Sequence, residues 1–141
     1  MKTDCGMLIK QISDHIAKDA NNALRGDDLT LSQLRCLEYL YGCRQEQVPL
    51  KQLESHFRIA QPTVAGIVSR LGKKGLVQTQ ASPVNQRAKT VCLTPAGEAL
   101  FQKVEQHRLQ MEQVLLSSLS PQEQAQFETL LQKVYNGIQG K

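Results

Sequence analysis

The sequence predicts a mainly α-helical chain that carries one small β-hairpin, and three observations predict it. Apolar residues recur at helical spacing along most of the 141 residues, and residues 76–93 alternate on either side of a polar tip. Unbranched Leu, Gln, Ala and Lys are abundant, whereas aromatic residues number six, three Phe and three Tyr with no Trp. Unbranched side chains lose little rotamer freedom in a helix, so this composition favours helices over sheet. With 40% apolar residues the chain can fill a core, and its length suits one folded unit.

From Met7 to Leu24, the residues Leu8, Ile12, Ile16, Ala20 and Leu24 fall four apart and predict a first helix with a single apolar stripe. Gly26, Asp27 and Asp28 end it. Thr30 is a good N-cap for a second helix to about Tyr41, with Leu34, Leu37 and Leu40 or Tyr41 turned inward. Pro49 suits the first turn of a third helix carrying Leu50, Leu53 and Phe57.

After a tight connection at Arg58–Ala60, Pro62 opens a fourth helix. Its inward stripe is Val64, Ile67, Val68 and Leu71, and Gly75 stops it. Leu76–Gln80 and Lys89–Leu93 then read as a two-stranded hairpin with a polar tip over 81–88. Thr94 and Pro95 start a long helix to about Ser117, with Leu100, Val104, His107 or Arg108, Met111 and Leu115 inward. Ser120, Pro121 and Glu123 form a capping box for a last helix whose stripe is Phe127, Leu130 or Leu131, Val134 and Ile138. Both chain ends are therefore amphipathic helices, expected to pack on each other and on a second copy.

The net charge is only +4, but its distribution is uneven. The 43 residues from Ser55 to Gly97 contain no Asp or Glu, while Arg58, Arg70, Lys73, Lys74, Arg87 and Lys89 contribute +6. That segment covers the fourth helix and the hairpin, and it marks a surface suited to a polyanion such as a phosphate backbone. Two short helices joined by a tight turn, the second of them basic, can lay that second helix in the major groove of DNA. A hairpin directly after it forms a wing, whose Arg87 can reach the negative potential of a neighbouring minor groove. The architecture expected is a winged helix-turn-helix core flanked by N- and C-terminal dimerisation helices. Its parts are a dimerisation helix over 1–28, a DNA-binding lobe over 29–94 and further dimerisation helices over 95–141, in one continuous folded unit.

Other classes find little support. No apolar run approaches the roughly 20 residues that span a bilayer, and Met1–Lys10 lacks a signal-peptide pattern. A cytoplasmic protein without membrane association is expected. Cys5, Cys36, Cys43 and Cys92 form no CxxC pair, and His15, His56 and His107 offer no local metal spacing, so reduced thiols and no metal site are expected. There is no Gly-rich phosphate loop, HExxH or GxSxG motif, so no catalytic residue, no cofactor and no enzyme are expected.

The order of elements, and above all the run NQRAKTVCLTPAG from Asn85 to Gly97, resembles the MarR family of bacterial transcriptional regulators. That family's wing signature is Asp, any residue, then Arg, ending in Leu-Thr and a Gly. Leu29-Thr30 with Gln33 and Leu37, and TVAGIVSRLGKKGLV from Thr63 to Val77, look like its second and recognition helices. The resemblance spans nearly the whole chain. It implies a homodimer on a pseudo-palindromic operator in double-stranded DNA, acting as a repressor released by a small aromatic or lipophilic effector. On this basis Gln61, Pro62, Thr63, Gly66, Ser69 and Arg70 line the recognition face, Lys73 and Lys74 reach phosphates, and Asn85, Arg87 and Lys89 belong to the wing. Asn85 departs from the family's Asp, offering Arg87 a neutral hydrogen bond in place of a charge-assisted one.

Family architecture also implies an effector pocket between the helical base and the lobe, lined by His15, Ile16, Leu34, Arg35 and Leu37. Two alternatives remain at this stage. One is a redox-responsive regulator switched at Cys5, which lies near the start of the first helix as reactive cysteines do in peroxide-sensing members, although their partner tyrosines are missing. The other is a winged-helix adaptor for protein contact, which would need an apolar recognition face.

Overall fold

A computed structural model describes residues 4–85 and 87–140. The chain forms α1 (Cys5–Gly26), α2 (Leu31–Gly42), β1 (Val48–Pro49), α3 (Leu50–Phe57), α4 (Gln61–Lys73), β2 (Val77–Ala81), β3 (Lys89–Leu93), α5 (Pro95–Leu115) and α6 (Pro121–Gln139). It divides into two compact units after Val104, a cut that falls inside α5.

In the first unit, α2, α3 and α4 pack around one core with a small sheet. Leu37, Leu40, Val48, Leu53, Leu71 and Val91 are its fully buried side chains. They come from three helices and two strands, so no element is stable apart from the others. Local signals set the boundaries. The Thr30 hydroxyl accepts from Gln33 N, while Gln33 Oε1 accepts from Thr30 N, closing a capping box at α2. Arg58 ends α3 in the left-handed region at φ 54°, and its tight turn feeds α4.

The sheet corrects the expected two-stranded hairpin. It has three antiparallel strands in the order β1-β3-β2, with Val48 opposite Val91 and Val77 opposite Leu93. β1 is only two residues long, and Pro49 has no N–H to donate, which suits an edge position. It holds because Val48 is buried against Val91 in the core.

The Thr94 hydroxyl joins α4, the sheet and α5. It donates to Gly75 O at 2.6 Å and accepts from Gly97 N at 3.1 Å, while Thr94 N donates to Leu76 O at 3.1 Å. Gly97 is required here: a Cβ on it would lie 2.0 Å from Leu76 O. Gly75 takes φ +75°, a conformation that a side chain would strain. The buried residues of α5 are Gly97 and Phe101, so the expected stripe is one residue out of register at Leu100. Phe101 stacks on Tyr41 of α2 with ring centroids 4.7 Å apart, and an aromatic contact fixes the helix's rotation. His107 and Arg108, alternatives for one expected inward position, are both exposed, and Leu115 is exposed as well.

In the second unit, the Ser120–Glu123 capping box forms as the sequence indicates. Gln124 closes the turn before α6 by donating to Leu116 O and Leu119 O. The expected inward stripe of α6, however, is exposed among the described residues. Phe127, Leu130, Leu131, Val134 and Ile138 are all exposed, and α6 buries none of its residues. On α1, Leu8, Ile12 and Ile16 are exposed likewise. Such stripes are apolar faces left exposed among the described residues.

Candidate nucleic-acid interface

The outward face of α4 follows from its inward one. Val64, Val68 and Leu71 are buried four and three residues apart, which rotates Pro62, Gly66, Ser69, Arg70 and Lys73 onto one outer strip. Gln61 and Thr63 flank that strip in the first turn and are exposed. Gly66 is half-buried with open space around it. A Cβ there would meet only the Arg70 guanidinium, 3.9 Å away. The strip is thus polar, cationic at its C-terminal end and low in profile at Gly66. It carries no carboxylate.

Lys74 does something else. Its ammonium bonds the backbone carbonyl of Asp28 and Gln33 Oε1, the latter at 3.0 Å, and lies 3.8 Å from the Asp28 carboxylate. Its side chain is 28% exposed. The lysine expected to reach phosphate therefore ties the end of α4 to the turn between α1 and α2. Lys73, one residue earlier, stays on the outer strip.

A residue that the sequence reasoning missed is Arg25. With Asp28, Arg70, Lys73 and Lys74 it lines a cleft of about 440 Å³ at the start of α2. Arg25 stands in the last turn of α1, far from α4 in sequence, so only tertiary packing brings it there.

The wing tip is built on side-chain-to-backbone bonds. Asn85 Oδ1 accepts from Arg87 N at 3.1 Å, Ala88 N donates to Asn85 O at 3.0 Å, and Ser82 N donates to Ala88 O at 2.8 Å. Asn85 was expected to hold the Arg87 side chain, but its bond goes to the Arg87 backbone. It shapes the tip by an Asx-type turn, which an Asn supports as well as an Asp. Arg87 is exposed, and Lys89 is exposed at the base where it pairs with Ala81. Val84, also missed, is 96% exposed at the tip, an apolar side chain raised into solvent.

The residues expected to form an effector pocket stand in different surroundings. Leu37 is sealed in the core, Leu34 is half-buried, and Ile16 is exposed. His15 is exposed and sits 3.4 Å from Asp19, one turn on. Arg35 lies at the edge of a different cavity, between α2, α3 and α4. Cys5 opens α1 and is exposed, whereas Cys36 is buried and burial pushes its thiol up to about 11. Among the described residues no three His, Cys, Asp or Glu side chains converge as metal ligands. No helix among them is long and apolar enough to cross a membrane.

A helical lobe that presents a basic second helix and a basic wing defines a winged helix-turn-helix protein. Comparison with known proteins agrees. Residues 29–89 match the MarR family. The HTH-type transcriptional regulator YwoH of Bacillus subtilis is 30% identical over 129 residues, covering 87% of this chain and 90% of its own. Staphylococcus aureus MepR, a transcription regulator of the multidrug efflux pump MepA, superposes with a TM-score of 0.85 at 27% identity, over 96% of this chain and 99% of that one. A Phe-to-Leu mutant of MepR bound to an oligodeoxyribonucleotide gives 0.80 at 26% identity over 97% and 99%, and MepR bound to ethidium bromide gives 0.74 at 26% over 96% and 97%. The chain belongs to the MarR family and is a DNA-binding transcriptional regulator.

Proposed function

We propose that the protein is a homodimeric repressor of the cytoplasm that reads a pseudo-palindromic operator and is released by a small aromatic or lipophilic effector. The observation that carries the DNA reading is the outer strip of α4. Pro62, Gly66, Ser69, Arg70 and Lys73 share it, it is free of acids, and it follows a tight turn.

In this reading Gln61, Thr63, Ser69 and Arg70 meet base edges, and the absence of a side chain at Gly66 admits close approach. Lys73 and Arg25 contact phosphates on the flank, and Arg87 enters the minor groove with Lys89 behind it. Lys74 stays with Asp28 and serves the lobe's shape. The polar strip argues against a protein adaptor, whose recognition face would be apolar. The uncovered stripes of α1 and α6 support a second copy of the chain as their partner. Effector release is supported by the ethidium complex of the related MepR. The exposed Cys5 supports a redox variant of the same switch, in which peroxide would weaken wild-type binding and spare Cys5→Ser.

Selection of bound fragments from a random duplex library tests the reading. A two-fold related motif whose half-sites lie about one helical turn apart is expected, with affinity that falls steeply as salt rises. Recovery of no enriched motif would defeat it.

A further inference from the structure

Val84 is the most exposed large apolar side chain among the described residues, at 96%, and it stands apart from the rest. The others lie on helices, mostly α1, α5 and α6, whereas Val84 sits in the tip between β2 and β3. Local bonds hold it there. Ser82 N donates to Ala88 O at 2.8 Å and closes the loop, Pro83 has a fixed φ, and Val84 N donates to the Ser82 hydroxyl at 3.3 Å. Asn85 then turns the chain back toward β3 by accepting from Arg87 N. Val84 is thus presented on a structured turn, and Arg87 and Lys89, both exposed, follow it on a hairpin without a carboxylate.

An aliphatic side chain offers nothing to a phosphate, so the surface it suits is the interior of a groove. In the minor groove an A·T pair shows only the acceptors A N3 and T O2, whereas a G·C pair adds the guanine N2 amine, a donor. Valine has no acceptor for that amine. Covering it with a methyl group leaves a donor unpaired, while the narrow groove of A·T-rich DNA brings its deoxyribose walls against the side chain.

We infer that Val84 is a specificity-determining residue of the wing, lying in the minor groove that Arg87 enters and selecting A·T over G·C there by excluding the guanine N2 amine. The inference rests on the proposed DNA reading and adds a base preference that charge alone does not supply. Arg87 provides attraction that salt screens; Val84 provides a contact that salt does not.

The test uses the full chain and the duplex recovered from the random library. Each base pair flanking the half-sites is set in turn to A·T, G·C or inosine·cytosine, the last keeping the major-groove face of G·C without the N2 amine. Fluorescence anisotropy at several salt concentrations reads the affinity. At the pair beneath the wing, G·C is expected to weaken wild-type binding by about tenfold and inosine·cytosine to restore it. Val84→Thr has nearly the same shape and an oxygen that accepts from the amine. It should cut the G·C penalty to about twofold and leave the salt slope unchanged. Arg87→Ala, in contrast, should weaken every duplex and lower the salt slope. A G·C penalty that inosine·cytosine does not lift, a penalty that Val84→Thr leaves intact, or no A·T preference at any flanking pair would each overturn the role of Val84 while the operator still binds. Failure to recover any operator would remove the DNA reading, and this inference with it.

Discussion

The Lys74 ammonium reaches back to Asp28, bonding its backbone carbonyl and lying 3.8 Å from its carboxylate. That carboxylate side chain is 96% exposed, so the ion pair contributes little, and the carbonyl and Gln33 bonds hold the lysine. Asp27, the neighbouring residue, pairs with Lys103 of α5 at 2.9 Å. One turn thus fastens both the end of the recognition helix and the first part of α5.

Adjacent lysines should consequently behave differently. Lys74→Ala is expected to destabilise the fold by about 1 kcal/mol, leaving Gln33 and the Asp28 carbonyl short of a donor. It should leave the salt dependence of operator binding unchanged. Lys73→Ala should barely move the melting temperature but lower the salt slope by about one. Parallel thermal melts and salt titrations check both, and identical profiles for the two variants would refute the division.

Much of the helix layout was legible because its signals are local. Thr30 with Gln33, Pro62, Gly75, Thr94 with Pro95, and Ser120 with Glu123 all mark boundaries that depend on neighbours within a few positions. What escaped depends on distant partners. β1 exists only because Val48 meets Val91, and two residues carry no periodicity. Leu100 and Phe101 both fit an apolar stripe, and the Tyr41 ring decides between them. Lys74 and Lys73 are the same residue type side by side, and sequence does not tell which one meets a carbonyl. Arg25 and Val84 had no motif to flag them.

Gly97→Ala tests the close packing of α5 on the start of β2. The obstacle at 2.0 Å is the backbone carbonyl of Leu76, which cannot rotate away as a side chain would. Separating the two backbones would also disturb the Thr94 bonds to Gly75 and Leu76. A loss of about 3 kcal/mol is expected in urea unfolding, at the upper end for overpacking. A loss below about 1 kcal/mol, under the usual range for overpacking, would show that α5 shifts freely.

At the wing, Arg87→Ala should weaken operator binding by about 1–3 kcal/mol without changing stability, since its side chain is exposed. Asn85→Ala removes only the bond to Arg87 N, so it should cost less, about 0.5–1.5 kcal/mol, through a looser tip. Asn85→Asp retains the acceptor and should restore the turn. Electrophoretic mobility shifts at one fixed salt concentration rank the three, and a larger loss for Asn85→Ala than for Arg87→Ala would reverse the roles assigned here.

Cys36 gives the fold a pH dependence on the alkaline side. Its thiol has an ordinary value of 9.0, and burial pushes it to about 11 in the folded protein. The folded state therefore holds this proton more tightly than the unfolded chain. The resulting stability is fully present below pH 9.0 and is lost as pH rises toward 11. The loss should amount to about 2–3 kcal/mol, and Cys36→Ala should lack that component while being less stable at neutral pH. Urea unfolding at stepped pH measures it; parallel decline in both proteins would place the alkaline sensitivity elsewhere.

The exposed stripe on α6 makes the assembly testable without touching the DNA-binding face. Leu131 and Val134 lie three residues apart on that helix, 43% and 53% exposed in the single chain. A solvent-facing pair would accept charge with little effect. If a second copy covers them, Leu131→Glu with Val134→Glu places two carboxylates in an apolar interface, where each is costly to desolvate. The expected outcome by light scattering is a monomer in place of a dimer, with helical content retained. Two linked lobes bind two half-sites with an advantage of about a hundredfold or more over one. Operator affinity should therefore collapse although α4 and the wing are unaltered. A double variant that remains dimeric and binds normally would remove α6 from the interface and return the burden of dimerisation to α1.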